Sequence, residues 1–338
     1  MGLYLILFFV LAFGSYTIKK NKYVLFFFLV IMALIIGLRG ESVGTDTVQY
    51  QEMYESLGSS GYGGYPEPVY GMLCVWGYSC GMSFQTFQTV LTLFALCCIA
   101  YVVRKQSPNY CLSLFLIISL YFFFYTMNIY RELIACYISV LACYILFTEN
   151  IKWSRFKYVL LIILAAGFHK SALILLLLLI IRRVNLGLFL IIGGVIVSFI
   201  IGIADMANIF APFLGGYEKY LEKYNRTGDK LIQGVFLSLY WLFAFCYIYI
   251  NSSRQFRASA YMKMFICGIV VSNLFIRQDM GLRLVLYFTI PLIVGIPRFI
   301  KENKNGLFNQ TVVIIYSSIY FFVFLLLNSA DVVPYTTD

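Results

Sequence analysis

The chain has 338 residues, of which 62% are hydrophobic and only 12% are charged, and its formal net charge is +10. A soluble protein of this size cannot hide so much apolar surface from water, so the composition excludes a water-soluble globular domain and predicts an integral membrane protein. In such a protein, basic cytoplasmic loops explain the positive charge better than nucleic-acid binding does. The nine cysteines form no metal-ligand pattern, and we expect no metal and no cofactor.

Apolar runs long enough to be membrane segments recur along the whole chain. In chain order they are 2–18, 23–38, 84–103, 110–126, 133–147, 158–181, 186–201, 233–250, 264–276, 284–296 and 311–327, with a shorter glycine-containing run at 69–81. We therefore expect an all-α polytopic integral membrane protein with about 12 transmembrane or re-entrant helices. The sequence predicts a single transmembrane domain over 1–338.

The run 158–181 is the one segment whose flanks argue against a simple crossing. Basic residues lie at both of its ends, with Lys157 before it and Arg182 after it, and basic residues favour the cytoplasmic side. A hairpin keeps both ends inside and places His169, the only histidine, at its tip. Each arm of about 12 residues would reach only about 18 Å, so the tip would lie below the outer surface in a water-filled cavity.

With this hairpin, most basic residues face the cytoplasm and all acidic residues except Glu149 and Glu302 face outside. Both termini are then outside, and the longest outer-face segments are 39–68 and 205–232. The unusual polar residues collect on this outer face: Arg39, Glu41, Asp46, Glu67, Arg131, Glu132, His169, Lys170, Arg277, Asp279 and Arg283.

These side chains suit an enzyme that transfers a group from a phosphorylated donor. Arginine forks match phosphate oxygens, so the outer-face arginines could bind a diphosphate. His169 could act as a general base, and Asp46 could orient a sugar hydroxyl or share that role. No nucleotide-binding loop is present, so the donor is expected to be lipid-linked.

Each of these residues also has a structural explanation. Arginines at helix ends extend to lipid headgroups, and Asp46 could cap a helix that starts at Thr47. His169 and Lys170 could simply be the polar tip of a tight turn. The charged segment 205–230 could be an amphipathic surface helix.

Three motifs lie in order between Gly37 and Ala172. The first is Gly37-Leu-Arg39-Gly40 with Val43-Gly44-Thr45-Asp46, Tyr50 and Glu67-Pro68-Val-Tyr70. The second is Asn128-Ile-Tyr-Arg131-Glu132-Leu-Ile-Ala135. The third is Gly167-Phe168-His169-Lys170-Ser171-Ala172. Together they resemble the EpsG family of exopolysaccharide and O-antigen loci, although Glu132 departs from the glutamine expected there after the arginine.

The resemblance implies a Wzy-like polysaccharide polymerase in the bacterial cytoplasmic (inner) membrane, with its active site on the outer (periplasmic) face. Such an enzyme transfers glycan from undecaprenyl diphosphate to another lipid-linked repeat unit, alongside a chain-length regulator. His169 would be the base, helped by Asp46. Four arginines and Lys170 would hold the diphosphate, and Glu67 would contact sugar. Another lipid-carrier-dependent glycosyltransferase, or a flippase for lipid-linked oligosaccharide, remains an alternative.

Overall fold

The computed structural model describes residues 1–148, 151–204 and 229–337, and these contain helices and no strand. The predicted outer-face segment 205–232 therefore lies almost entirely outside the described residues. The structure divides the chain into two compact units, Met1–Leu175 with Ile296–Asp338, and Leu176–Gly295. The extent of the membrane domain, 1–338, stays a prediction.

The first unit contains the helices that carry the candidate site. They are α1 (Gly2–Thr17), α2 (Lys22–Gly37), α3 (Thr47–Ser60), α4 (Pro68–Ser79), α5 (Phe84–Gln106), α6 (Tyr110–Ser119), α7 (Phe122–Asn128), α8 (Tyr130–Phe147) and α9 (Ser154–Ala166). A 3₁₀ helix, Lys170–Leu177, follows α9.

The second unit is also helical in its described part. It contains α10 (Leu178–Ile181), α11 (Leu188–Ile203), α12 (Asp229–Asn251), α13 (Arg254–Arg257), α14 (Ala260–Leu274) and α15 (Asp279–Thr289). The chain re-enters the first unit within α16 (Leu292–Glu302), and α17 (Gly306–Leu326) ends it.

The membrane character of the chain is visible in its helices. Among the described residues, five helices are long and apolar enough to cross a membrane, and a sixth span results if α6 and α7 are taken together. Five further apolar helices have 10–17 residues. The prediction of an all-helical membrane protein is confirmed, while the count of about 12 segments stays a prediction.

The predicted membrane segment 110–126 is not one straight helix. The structure breaks it between α6 and α7, which are bent by 50°. Tyr121 at the break has a φ of 68°, a left-handed conformation that stops a helix of L-residues. Its ring stacks on Phe124 and its hydroxyl donates to the carbonyl of Phe324. Packing against α17 therefore stabilises a break that the local sequence does not signal.

The run 158–181 folds back on itself, as predicted. The Tyr158 hydroxyl donates to the carbonyl of Leu175, 17 positions later. In one continuous helix these residues would be about 25 Å apart, so the hydrogen bond requires the chain to reverse direction. The reversal lies between the end of α9 at Ala166 and the start of the 3₁₀ helix at Lys170.

The C-terminal tail packs on the segment after α2. Gly40 N–H donates to the Thr336 carbonyl at 2.9 Å, and Gly44 N–H donates to the Asp331 carbonyl at 2.8 Å. The hydroxyl of Tyr335 donates to the Ile35 carbonyl. The tail thus satisfies backbone groups of a loop that regular structure leaves unpaired.

Candidate functional site

The site forms where the tip of the hairpin meets the start of α4. Helix α4 begins at Pro68, which needs no hydrogen-bond partner for its nitrogen and suits the first helical position. The next two amides, of Val69 and Tyr70, both donate to the Gly167 carbonyl, at 3.0 and 3.1 Å. The hairpin tip therefore satisfies amides that the first turn of a helix leaves unpaired.

Close approach at this junction requires a glycine. A Cβ added to Gly167 would lie only 2.8 Å from the Cβ of Val69 and would overlap that side chain. The absence of a side chain lets the two backbones meet. As a result His169, two residues after Gly167, lies beside Glu67, one residue before Pro68.

Glu67 joins two residues that the sequence proposed independently. Its Oε1 lies 2.6 Å from His169 Nδ1, and its Oε2 accepts a hydrogen bond from Arg131 Nη1 in an ion pair. Glu67 is buried, whereas the side chains of Arg131 and His169 are 23% and 22% exposed. The Glu67 carboxylate is therefore shielded from solvent, whereas a ligand can reach Arg131 and His169.

The contact with Glu67 determines the tautomer of the imidazole. A carboxylate in an ion pair with arginine accepts hydrogen bonds, so Nδ1 of His169 carries the proton that it donates. The lone pair of the neutral ring is then on Nε2. This nitrogen lies 3.8 Å from Glu132 Oε2, so two carboxylates flank one imidazole.

Arg131 is surrounded by tyrosines that the site prediction did not include. Its Cζ lies 5.6 Å from the ring centroids of Tyr50, Tyr65 and Tyr70, within the range of cation–π attraction. The Tyr65 hydroxyl also accepts from Arg131 Nη1. Tyr50 and Tyr70 belong to the first motif, and Tyr65 follows Gly63 and Gly64. The tyrosine content of 39–70 was therefore the sequence feature that could have indicated these residues.

Tyr65 remains a neutral hydroxyl at this position. Burial raises its pKa to about 12, with Arg131 opposing the increase. The protonated hydroxyl accepts from Arg131 and donates to Met53 Sδ at 3.0 Å. It therefore orients the guanidinium without adding charge to the site.

Arg39 occupies a different environment from Arg131. It is only 2% exposed, and its guanidinium donates to Thr47 Oγ1 at 3.1 Å, to Gln88 Oε1 at 2.6 Å and to the Met127 carbonyl at 3.1 Å. A further bond goes to the Ile36 carbonyl. Burial lowers its pKa to about 10, so it stays charged at neutral pH within a closed set of protein partners.

The loop after α2 packs against the start of the second motif. Arg39 donates to the carbonyl of Met127, the residue before that motif, and the Thr45 N–H donates to Asn128 Oδ1 at 2.9 Å. Gly44 has a φ of +90°, and a Cβ there would come within 2.6 Å of the Met127 carbonyl. A glycine is needed here both for its conformation and for its lack of a side chain.

The other predicted residues lie in different surroundings. Asp46 is half-buried, its Oδ1 accepts from Thr45 Oγ1, and it makes no side-chain cap to α3. Lys170 is exposed at the start of the 3₁₀ helix. In the second unit, Arg277 donates to the Ile203 carbonyl at 3.0 Å, and Arg283 is half-buried. The structure thus brings together Glu67, Arg131 and His169 from the predicted set.

A family model describes this chain almost completely. The match is to the EpsG family and covers residues 21–337. The chain belongs to the EpsG family. The three motifs that form the cluster all lie in the matched range, and membership indicates a membrane protein of polysaccharide biosynthesis. No curated protein and no solved structure matches the chain.

Proposed function

We propose that this EpsG family member is a polysaccharide polymerase. It transfers a glycan from an undecaprenyl-diphosphate-linked donor to a lipid-linked repeat unit, at an outer-face cavity of the bacterial cytoplasmic membrane. The observation that carries the proposal is the cluster of Glu67, Arg131 and His169, in which one buried carboxylate holds a cation and an imidazole side by side.

The proposed reaction assigns one task to His169 and one to Arg131. The acceptor hydroxyl attacks the anomeric carbon of the donor, a new glycosidic bond forms, and the bond to the lipid diphosphate breaks. His169 Nε2 takes the hydroxyl proton, because its Nδ1 is occupied by Glu67. The diphosphate leaves with the bonding electron pair, and Arg131 stabilises its negative charge.

Glu67 is a positioning residue in this mechanism. Its burial and its two partners leave it little access to a sugar, but they hold the base and the cation in fixed relation. Such orientation by a buried carboxylate is the general way in which an imidazole base is kept in the productive tautomer. The same proposal makes Arg39 a structural residue, since its donors are engaged by protein groups.

The remaining predicted residues have supporting parts in the proposal. Lys170, exposed beside His169, attracts the anionic donor. Arg277 and Arg283 bind phosphate or lipid headgroups, and Asp46 orients a sugar hydroxyl. The chain is proposed to contain about 12 membrane segments and to work with a chain-length regulator.

The test is to replace His169 by Ala in cells that make the polysaccharide, with the amount of membrane protein confirmed by immunoblot. We expect long surface chains to vanish and single repeat units to remain at the outer face. An unchanged ladder would show that His169 is not the base. Accumulation of lipid-linked units on the cytoplasmic side would instead indicate a flippase, and disappearance of single units would indicate an earlier transferase step.

A further inference from the structure

The C-terminal tail, residues 328–336, is a folded segment that follows α17. The side chain of Asn328 organises it, because Oδ1 accepts from the amides of Val332 and Val333, both at 3.0 Å, and Nδ2 donates to the Val333 carbonyl at 2.9 Å. Val332 is fully buried, and its carbonyl accepts from the Tyr4 hydroxyl of α1 at 3.0 Å. The tail is therefore fixed against helices of the first unit.

The tail docks on the loop 38–46, which joins α2 to α3. Tail carbonyls accept from the amides of Gly40 and Gly44 at 2.9 and 2.8 Å, and the hydroxyl oxygens of Ser42 and Thr336 lie 2.9 Å apart. These contacts are spread from Gly40 to Gly44, so they restrain most of the loop.

Tyr335 extends this restraint to the end of α2, where Arg39 is bound. Its hydroxyl donates to the Ile35 carbonyl at 3.1 Å, and the next carbonyl, that of Ile36, accepts from the Arg39 guanidinium. Both carbonyls belong to the last turn of α2, which has no partner for them within the helix. The Tyr335 ring also packs edge-on against the Tyr4 ring, with the centroids 6.0 Å apart. The tail and Arg39 thus cap the same helix end.

The loop in turn holds the residues that precede α8. Arg39 donates to the Met127 carbonyl at 3.1 Å, and the Thr45 amide donates to Asn128 Oδ1 at 2.9 Å. Arg131 follows Asn128 closely, in the first turn of α8. A continuous set of contacts therefore connects the tail to the cation of the candidate site.

We propose that the C-terminal tail positions Arg131 for binding of the donor diphosphate, with Tyr335 as a positioning residue that acts through the loop 38–46. This inference rests on the proposed polymerase function. The base His169 is held by a different contact, the one between its Nδ1 and Glu67. Release of the tail should therefore weaken binding of the donor and leave binding of the acceptor unchanged.

The test removes the end of the tail and keeps the rest of the chain. A chain that ends at Pro334 lacks the two residues that contact Ile35 and Gly40. A chain that ends at Thr337 keeps both contacts and is the matched control. Each is purified and placed in lipid vesicles, alongside the unaltered chain.

The assay measures the two substrates separately. The donor is the lipid-linked repeat unit isolated from cells that lack this chain. The acceptor is the same oligosaccharide released from lipid and tagged with a fluorophore at its reducing end, which cannot act as a donor because it has no diphosphate. Extension of the tagged acceptor is followed while the concentration of one substrate is varied at a time.

We expect the chain that ends at Pro334 to have a KM for the donor raised about 10-fold or more and a KM for the acceptor within about 2-fold of normal, because a small displacement of one substrate-binding group is costly. The chain that ends at Thr337 should change neither value. A smaller amount of folded protein would lower the rate and leave both KM values unchanged, so this pattern reports the position of Arg131 and not stability.

Tyr335 provides a second variant that keeps the chain at full length. Tyr335→Ala should raise the donor KM in the same direction, and it decides the question if the shortened chain does not accumulate. Tyr335→Phe keeps the ring that packs against Tyr4 and should restore most of the affinity for the donor.

Hydrogen exchange gives a readout that needs no activity. In the chain that ends at Pro334, the amides of 40–44 and 127–131 should exchange faster than in the control, because the restraint passes from one segment to the other. The amides of 167–170 at the hairpin tip should exchange at the same rate in both chains.

An unchanged donor KM in the shortened chain and in Tyr335→Ala, or an acceptor KM that rises as much as the donor KM, would overturn the tail proposal while polymerisation itself proceeds. Exchange that accelerates at 40–44 but not at 127–131 would also overturn it. Failure of the unaltered chain to extend any acceptor would instead overturn the proposed function, and the tail proposal with it.

Discussion

Glu67 and His169, 102 positions apart in the sequence, are joined by a contact of 2.6 Å between Oε1 and Nδ1. The contact exists because the carbonyl of Gly167 caps the first turn of α4. The hairpin and a short helix thus form a polar cluster that neither contains alone. The other oxygen of Glu67 adds Arg131, so one carboxylate organises both groups that the proposed reaction uses.

Glu67→Gln should lower the rate of polymer formation at least about 100-fold, because the base His169 loses its orientation and Arg131 loses its ion-pair partner. Breaking a buried ion pair by removing one partner also costs about 3–5 kcal/mol, so thermal unfolding in detergent should shift downwards. Both the chain-length ladder and the unfolding midpoint are to be measured. Adding His169→Gln to Glu67→Gln should lower activity little further, since the two residues act as a unit. Independent, multiplicative losses would contradict the pairing.

Arg39→Ala should lower the stability of the folded protein more than it weakens substrate binding. The substitution leaves the Gln88 amide oxygen and the Met127 carbonyl without their donor, and each buried unsatisfied group costs about 1–3 kcal/mol. We expect the unfolding midpoint in detergent to fall by several degrees. Arg155→Ala, at an exposed position of α9, should leave it unchanged. A normal midpoint combined with lost donor binding would show that Arg39 is a diphosphate ligand after all.

Gly167→Ala should uncouple the hairpin tip from α4. The added Cβ meets Val69, so the tip must move and His169 must leave Glu67. We expect strong loss of polymer with protein still present in the membrane. Gly194→Ala, where the added Cβ has open space, is the control and should retain activity. Wild-type activity of Gly167→Ala would mean that the junction is looser than the two backbone hydrogen bonds indicate.

Cysteine labelling can determine on which side of the membrane each part of the hairpin lies. The bond between Tyr158 and Leu175 establishes the reversal, and the basic flanks predict which side each part faces. Lys170→Cys should react with a membrane-impermeant maleimide added to intact cells. Arg155→Cys and Arg183→Cys should react only after the membrane is opened.

The labelling background requires serine at the exposed native cysteines Cys80, Cys97 and Cys246. Polymer formation by this background confirms that it is folded. Labelling of Arg183→Cys but not Lys170→Cys in intact cells would contradict the hairpin and support a single crossing.

The sequence was informative wherever composition or charge acts locally. Apolar runs predicted the helices, and the basic flanks of 158–181 predicted the reversal that the Tyr158 hydrogen bond confirms. The residues Glu67, Arg131 and His169 were all proposed, but from their outer-face placement and a family resemblance, not from any knowledge of contact. Their pairing depends on Gly167 meeting the N-terminus of α4, a contact between distant segments that no local pattern encodes.

Long-range packing also explains why three structural features could not be predicted from the sequence. Arginine at the end of α2 is compatible with phosphate binding, and only the tertiary structure reveals that Arg39 points into a set of buried acceptors. The break at Tyr121 depends on Phe324, about 200 positions away. Similarly, the sequence predicted only that the C-terminal tail lies outside, and it gave no sign that the tail pairs with the backbone of Gly40 and Gly44.

The most direct test of the central claim uses purified protein in lipid vesicles with isolated lipid-linked repeat units as the only sugar source. The unaltered chain should convert single units to a ladder and release lipid diphosphate in equal number to the bonds formed. His169→Gln should lower that rate by about 10²- to 10⁴-fold, as expected for loss of a general base, while Lys157→Gln, exposed on the same hairpin, should retain it. A ladder that forms at the wild-type rate in His169→Gln would contradict the account.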